Sequence, residues 1–288
     1  MQKPMTVRQF FKLFPTEDDC LEHVMRTRYG QRHACVKCGK SAHHYRLAAR
    51  KAYSCEYCGH HVYPCVDTPF EKSRTPLQLW LFAMYLFCAS RNGVAAKELQ
   101  RQLGVTYKCA WRMGHEIRKY MGTVDGDAPL GGFGIVEADE TFIGGKDKRG
   151  QDDKHIVLGA VERGGEIQTQ VIPDRREGTM IPELKKMLVP GARVATDEHS
   201  SYQALPSEGF PHATVNHSAK EWVRGVVHTN TIESFWAQLK RGVAGTYIHV
   251  SQKHLDKYLA EFEYRFNLRK SPSAMFEILT LAFQRPAL

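Results

Sequence analysis

Two groups of residues have the types and spacing needed for metal chemistry. The first is Cys35-Val36-Lys37-Cys38 with Cys55-Glu56-Tyr57-Cys58, two C-x-x-C pairs that are each followed by glycine, Gly39 and Gly59. Each pair can form a tight knuckle in which two thiolates reach one side of a turn and the glycine lets the backbone reverse. Together the four sulfurs close a tetrahedron around Zn²⁺, as in a zinc ribbon. Such a site has no open position for water, so Cys35, Cys38, Cys55 and Cys58 are expected to hold a structural zinc. Buried free thiols or a redox pair are the competing reading. His33, His60 and His61 stand near enough in sequence to replace a cysteine, or else to face solvent or DNA. Cys20, Cys65, Cys88 and Cys109 lie outside the pattern.

The second group is acidic. The run Gly134-Ile135-Val136-Glu137-Ala138-Asp139 ends an apolar stretch on a carboxylate, and Val194-Ala195-Thr196-Asp197 ends the same way. A carboxylate at the end of a buried strand is costly without a cation. Further on, Asn230, Glu233 and Lys240 fall on one helical segment, Asn230 one turn before Glu233 and Lys240 two turns after it. Two aspartates and a helix-borne oxygen ligand suit a pair of Mg²⁺ ions, which take carboxylate oxygens and keep water or phosphate in their remaining positions. Two such ions about 4 Å apart activate an attacking oxygen and stabilise a leaving one in phosphodiester displacement. Asp139 and Asp197 are the expected Mg²⁺ ligands. The third position stays open between Asn230 and Glu233.

The elements that must carry these residues follow from periodicity. Residues 135–138, 156–162, 167–172 and 193–196 have the pattern of strands, and 180–188, 231–240 and 255–266 that of helices. Gly164-Gly165 is a hairpin signal between two of the strands. This part is a mixed α/β domain, expected over 132–288. Before it, 77–90, 95–103 and 107–121 are helical, and Gly104-Val105-Thr106 makes a turn with Thr106 as cap. Residues 76–121 therefore have the outline of a helix-turn-helix unit. Its last helix carries Lys108, Arg112, Arg118 and Lys119, which would meet DNA phosphates, alongside Tyr107 and His115. A three-helix bundle without DNA contact has nearly the same pattern. Residues 30–70 form the zinc ribbon and 1–29 a helical lead-in interrupted near Pro15. Gly- and Asp-rich 122–132 is the linker.

With 42% hydrophobic and 25% charged residues, the 288-residue chain has a globular composition, so disordered and collagen-like classes fall away. The net charge of +9 is the balance of a protein whose partner is a polyanion. The first residues lack the apolar core of a secretory signal, and the longest mostly apolar stretch, 77–89, is too short to span a bilayer. A cytoplasmic protein with no membrane role is expected.

The ordered set of motifs resembles a known family. The cysteine quartet, the helical unit, Asp139-Glu140-Thr141-Phe142-Ile143-Gly144-Gly145, Thr196-Asp197, and Asn230-Thr231-Ile232-Glu233 with Leu239-Lys240-Arg241-Gly242 are similar to bacterial insertion-sequence transposases of the zinc-ribbon, ribonuclease-H-like type, from about Cys35 to Arg269. The resemblance implies a ribonuclease-H-like mixed sheet flanked by helices and preceded by the zinc ribbon and the helix-turn-helix. It implies a DDE-class enzyme that cuts the ends of a mobile element and joins the freed 3′ hydroxyl to target DNA. Carried over by position, Asp139 and Asp197 are metal ligands, Lys240 lies near the scissile phosphate and Arg241 beside it contacts DNA. The partners implied are double-stranded DNA, as terminal repeats and target, and further copies of the chain assembled on it. The bacterial nucleoid is the place of action. A transposase-derived DNA-binding regulator without chemistry is the alternative, and a nuclease for branched or damaged DNA is a third reading.

Overall fold

The computed structural model describes residues 4–126, 128–146 and 152–283. Residue 127 of the expected linker, and 1–3, 147–151 and 284–288 of the expected end domains, lie outside the described residues. The chain divides into two compact units, one of Met1–Val124 with Ser271–Leu288, the other of Asp125–Lys270.

The first unit opens with α1 (Val7–Leu13) and α2 (Glu17–Tyr29), each started by a reciprocal capping box, Thr6 with Gln9 and Thr16 with Asp19. Short strands follow. β1 (His33–Ala34) pairs antiparallel with β2 (Ser41–Ala42), and β3 (His44–Leu47), β4 (Ala52–Cys55) and β5 (His61–Val62) form an antiparallel three-stranded sheet. The buried Arg28 of α2 donates to the Pro64 carbonyl at 2.6 Å, anchoring the end of this small layer. Three helices come next: α3 (Leu77–Ala89), α4 (Ala96–Leu103) and α5 (Tyr107–Asp125). Pro76 provides no side-chain cap for α3, and Glu17 of α2 supplies one by accepting from the Leu77 and Gln78 N–H groups at 2.9 and 2.8 Å. Gly104 ends α4 in the left-handed region, φ 65°, and Thr106 Oγ1 accepts from Cys109 N–H at 3.3 Å to start α5. Phe10 of α1 is fully buried among Phe14, Phe82, Tyr85 and Phe276, so the lead-in belongs to a hydrophobic core.

The second unit is a mixed sheet. β6 (Val136–Lys146), β7 (Asp152–Glu162) and β8 (Ile167–Ile172) run antiparallel, while β9 (Val194–Thr196) lies parallel to β6 and β10 (His212–Thr214) parallel to β9. The strand order is β10-β9-β6-β7-β8. Alternation along the strands assigns the two faces. Val136, Ala138, Leu158 and Ala160 pack against α6 (Glu177–Met187) through Met180, Leu184 and Met187. On the other face Ile143, Val157, Val161 and Ile167 meet α7 (Asn230–Gly242) and α8 (Gln252–Asn267) through Ile232, Phe235, Trp236, Leu239, Leu259 and Phe262. Each fully buried side chain of this kind contributes about 1.5–3 kcal/mol.

Three expectations need correction. β6 continues eight residues past Ala138, because pairing with β7 runs unbroken from Val136↔Glu162 to Lys146↔Asp152, while the polar and glycine-rich sequence after Asp139 hides the strand. The three-residue β10 was not anticipated. The chain from Ser271 on, placed by sequence in the α/β domain, clusters with the first unit, where α9 (Met275–Leu281) carries Phe276 into the Phe10 core. Among the described residues, no helix is long and apolar enough to cross a membrane.

Candidate active site and zinc centre

The four cysteines come together as the spacing predicts. Cys35 and Cys58 sulfurs lie 3.6 Å apart, Cys38 and Cys55 sulfurs 3.9 Å, and all four fall within 4.8 Å of one another. A tetrahedron with Zn–S bonds of about 2.3 Å has edges near 3.8 Å, so the quartet fits zinc. The two knuckles have the same construction. Gly39 N–H donates to the Cys35 carbonyl at 2.8 Å and Gly59 N–H to that of Cys55 at 3.0 Å, with φ of 69° and 70° at the two glycines. Backbone N–H groups of Cys38 and Lys37 hold the Cys35 thiol down at about 6, which favours the thiolate that binds metal. The histidines take other places. His33 stacks on His44 with ring centroids 4.0 Å apart, and His60 and His61 stand outside the quartet.

The acidic residues gather where the short β9 ends beside the longer β6. β6 and β9 are parallel with Glu137 opposite Ala195, so Asp139, within β6, and Asp197, just past the end of β9, each stand two residues further along neighbouring strands. Burial, then the negative charges of Glu140 and Asp197, push the Asp139 carboxyl up to about 7. Its Oδ2 accepts from Trp236 Nε1 of α7 at 3.0 Å. This contact needs Gly159, the cross-strand partner of Asp139 on β7: a Cβ there would stand 2.7 Å from the Trp236 ring. Asp197 Oδ1 accepts from the His199 N–H at 3.0 Å. The adjacent acids are otherwise engaged. Glu140, on the opposite face of β6, accepts from Tyr202 at 2.7 Å and pairs with Arg175 at 3.0 Å. Glu198 accepts from Ser218 Oγ at 2.6 Å and from the His217 and Ser218 N–H groups, which hold its carboxyl down at about 2.

On α7, Glu233 is exposed, accepts from the Thr229 hydroxyl at 2.6 Å and has His217 Nε2 3.5 Å away. Asn230, Lys240 and Arg241 are exposed. Among the described residues the cysteines are the group drawn together at ligand distance, and Asp139, Asp197 and Glu233 do not form such a cluster. Two aspartates on neighbouring strands, one raised by the charge of the other, are nonetheless donors of the kind that suit a hard cation.

Of the residues expected to meet DNA, Lys108 and Lys119 are exposed, Lys119 pairing with Glu116 at 3.0 Å, and Arg112 lies over the Trp80 ring. Arg118 is a correction: it is 3% exposed, packed over Phe87 with a bond to the Val94 carbonyl, so its guanidinium serves the helical core. His115 is likewise buried, stacked on Trp111. Sequence reasoning missed the link from Trp236 to Asp139 and the buried Glu137. The signal available for the first was Gly159, a glycine inside an apolar strand, which marks close approach of another element.

Fold and site together describe a zinc-ribbon protein with an acidic site where β9 ends beside β6. The comparisons with known proteins agree. A model of the ISXO2-like transposase domain matches residues 129–267, and one of the transposase zinc-ribbon domain matches residues 15–61. A protein described as an uncharacterized protein in transposable element ISH50, from Halobacterium salinarum, is 28% identical over 249 residues, 79% of this chain and 82% of its own length. A transposase-like protein of Haemophilus influenzae is 31% identical over 101 residues, 35% of this chain and 80% of that protein. The chain belongs to the ISXO2-like insertion-sequence transposases, with a transposase zinc ribbon at its front.

Proposed function

We propose that the protein is a DDE-class transposase, which cleaves phosphodiester bonds at the ends of its insertion sequence and joins the freed 3′ hydroxyl to target DNA. The observation that carries this is that Asp139 on β6 feels the charge of Asp197, just past the end of the parallel neighbour β9, and lies under a helix that touches it through Trp236. We assign a ribonuclease-H-like architecture to the second unit on this order of strands and acids.

Asp139 and Asp197 would hold Mg²⁺. When bound, a pair of these ions supplies charge neutralisation at the scissile phosphate and lowers the pKa of the attacking oxygen. Trp236 fixes the rotation of the Asp139 carboxylate, and Thr229 and His217 orient Glu233. Glu233 is the better third ligand. At about 100° per residue, Glu233 and Lys240 project within about 60° of Trp236, whereas Asn230 projects about 120° away. Lys240 and Arg241, exposed on the last turn of α7, would meet DNA phosphates.

The α4–Gly104–α5 segment acts as a helix-turn-helix, with Lys108, Arg112 and Lys119 as its phosphate contacts, and together with the zinc ribbon it selects the terminal repeats. The working form is an oligomer on two element ends, acting on DNA in the bacterial cytoplasm. The test is strand transfer in vitro with Mg²⁺ and the terminal repeats flanking the gene, using wild type, Asp139→Ala, Glu233→Gln and Asn230→Ala. Wild type should join ends to target, Asp139→Ala and Glu233→Gln should not, and Asn230→Ala should retain activity. Wild type that binds the ends and never cuts them would make the protein a regulator.

A further inference from the structure

Glu137 is fully buried on β6, two residues before Asp139 and on the same face of the strand. An ionised carboxylate in such a place costs several kcal/mol unless its lone pairs are filled. They are filled by α7 and by Arg163, with His228 Nδ1 also 3.1 Å from Oε1. Oε2 accepts from the Thr231 N–H at 2.7 Å and the Ile232 N–H at 3.1 Å, and Oε1 from the Thr231 hydroxyl at 2.9 Å and Arg163 Nε at 2.6 Å.

The Thr231 and Ile232 N–H groups are those that a helix's first turn leaves without intrahelical partners. Thr229, in the N-cap position of α7, makes no cap with its side chain, and its hydroxyl is directed to Glu233 instead. A strand residue 94 positions away therefore caps the helix. Arg163 extends the tie by donating to the carbonyls of Val226 at 2.5 Å and His228 at 2.9 Å, just ahead of α7. The same strand thus meets α7 twice on one face, at Glu137 and through Asp139 with Trp236.

We infer that Glu137 is a positioning residue for the reaction: it sets where α7, and with it Glu233, Trp236 and Lys240, stands relative to Asp139. This rests on the transposase chemistry proposed above. A carboxylate that merely stabilised the fold would, when changed, lower stability and leave the properties of the folded fraction alone.

The experiment uses the full zinc-loaded chain as wild type, Glu137→Gln and Thr231→Val, the second a milder change that removes only the hydroxyl donor. Without added Mg²⁺, the indole N–H resonance of Trp236, assigned through Trp236→Phe, reads the Asp139 contact. Single-turnover cleavage of terminal-repeat DNA across a Mg²⁺ series reads the site. For Glu137→Gln the Trp236 resonance should move, half-saturating Mg²⁺ should rise about 10-fold and cleavage should fall about 100-fold, the scale of a misplacement near 1 Å. Affinity for the DNA should stay within about twofold of wild type, and Thr231→Val should move the Trp236 resonance less, raise half-saturating Mg²⁺ about 3-fold and lower cleavage about 10-fold. If Glu137→Gln does not fold, Thr231→Val decides alone. A folded variant with an unmoved Trp236 resonance and an unchanged Mg²⁺ requirement overturns the assignment. Wild type that never cleaves counts against the proposed function instead, and the Trp236 resonance still reports whether Glu137 places α7.

Discussion

The zinc ribbon and the acidic site are built by opposite means. In the ribbon each pair of ligands is three residues apart, and the turn that joins them is closed by its own backbone, Gly39 to Cys35 and Gly59 to Cys55. In the acidic site Asp139 and its Trp236 partner are 97 residues apart, and they meet only because β6 is central in its sheet and α7 lies across it. Local assembly gives a ligand set at metal-binding distance. Long-range assembly gives a pair of like charges, with Asp139 pushed up to about 7 and the helix-borne Glu233 held a little apart by Thr229 and His217. The first site is a fastener and the second carries electrostatic strain that a cation would relieve.

The largest expected effect separates the two. Cys38→Ser with Cys58→Ser, or a strong chelator, should release one zinc per chain and unfold the 33–62 strands, since structural zinc binding in small modules is worth on the order of 10 kcal/mol. Secondary structure of the second unit should persist, as followed by amide hydrogen exchange. Loss of protection in β6 and β7 at the same chelator concentration would break the comparison.

Gly159→Ala comes next. The new methyl meets the Trp236 ring, and Ile232 stands 3.3 Å away, so the helix or the ring must shift. A loss of about 1–3 kcal/mol is expected in denaturant melts, with at least a 10-fold fall in cleavage. Unchanged cleavage would mean that the Trp236 contact does not serve Asp139.

How much of this could be read from the amino acids follows the same division. Spacing displayed the cysteine quartet because the chemistry is local. It also singled out Asp139, Asp197 and Lys240 as candidates, as acids at the ends of apolar runs and a base two turns beyond Glu233, whose roles belong to the proposed function. It could not display Glu137 as a helix cap, because its partners Thr231 and Ile232 are defined by topology. Charge was a poor guide to surface: Arg118 looked like its neighbours Lys108 and Lys119, but its position on α5 faces Phe87. The end of β6 was invisible because Thr141, Gly144 and Gly145 interrupt the apolar alternation, while the hairpin register alone maintains the strand.

Arg118 and Lys108 offer a sharper contrast of core and surface. Arg118→Ala should destabilise the first unit by about 1–3 kcal/mol through lost packing and an unfilled carbonyl, with the salt slope of DNA binding unchanged. Lys108→Ala should do the reverse, lowering that slope by about 1 at unchanged stability. A smaller slope for Arg118→Ala would return that residue to the DNA surface.

The smallest effect concerns the strain at Asp139. Its native carboxyl binds a proton more tightly than the unfolded chain does, so its contribution to stability is full below about pH 4 and is lost as pH rises through about 7. In zinc-loaded protein without Mg²⁺ at pH 8, Asp139→Asn should therefore be more stable than wild type by on the order of 1 kcal/mol, while being inactive. Equal thermal melting of the two across pH 4–8 would show that the carboxylate pair carries no strain.

The most direct test of the central claim is Mn²⁺ binding, followed by electron paramagnetic resonance, to zinc-loaded wild type, Asp139→Ala and Asp197→Ala. The account predicts that wild type takes up Mn²⁺, that each aspartate variant loses this binding by at least 10-fold, and that all three retain their zinc. Equal Mn²⁺ uptake by wild type and both variants would contradict it.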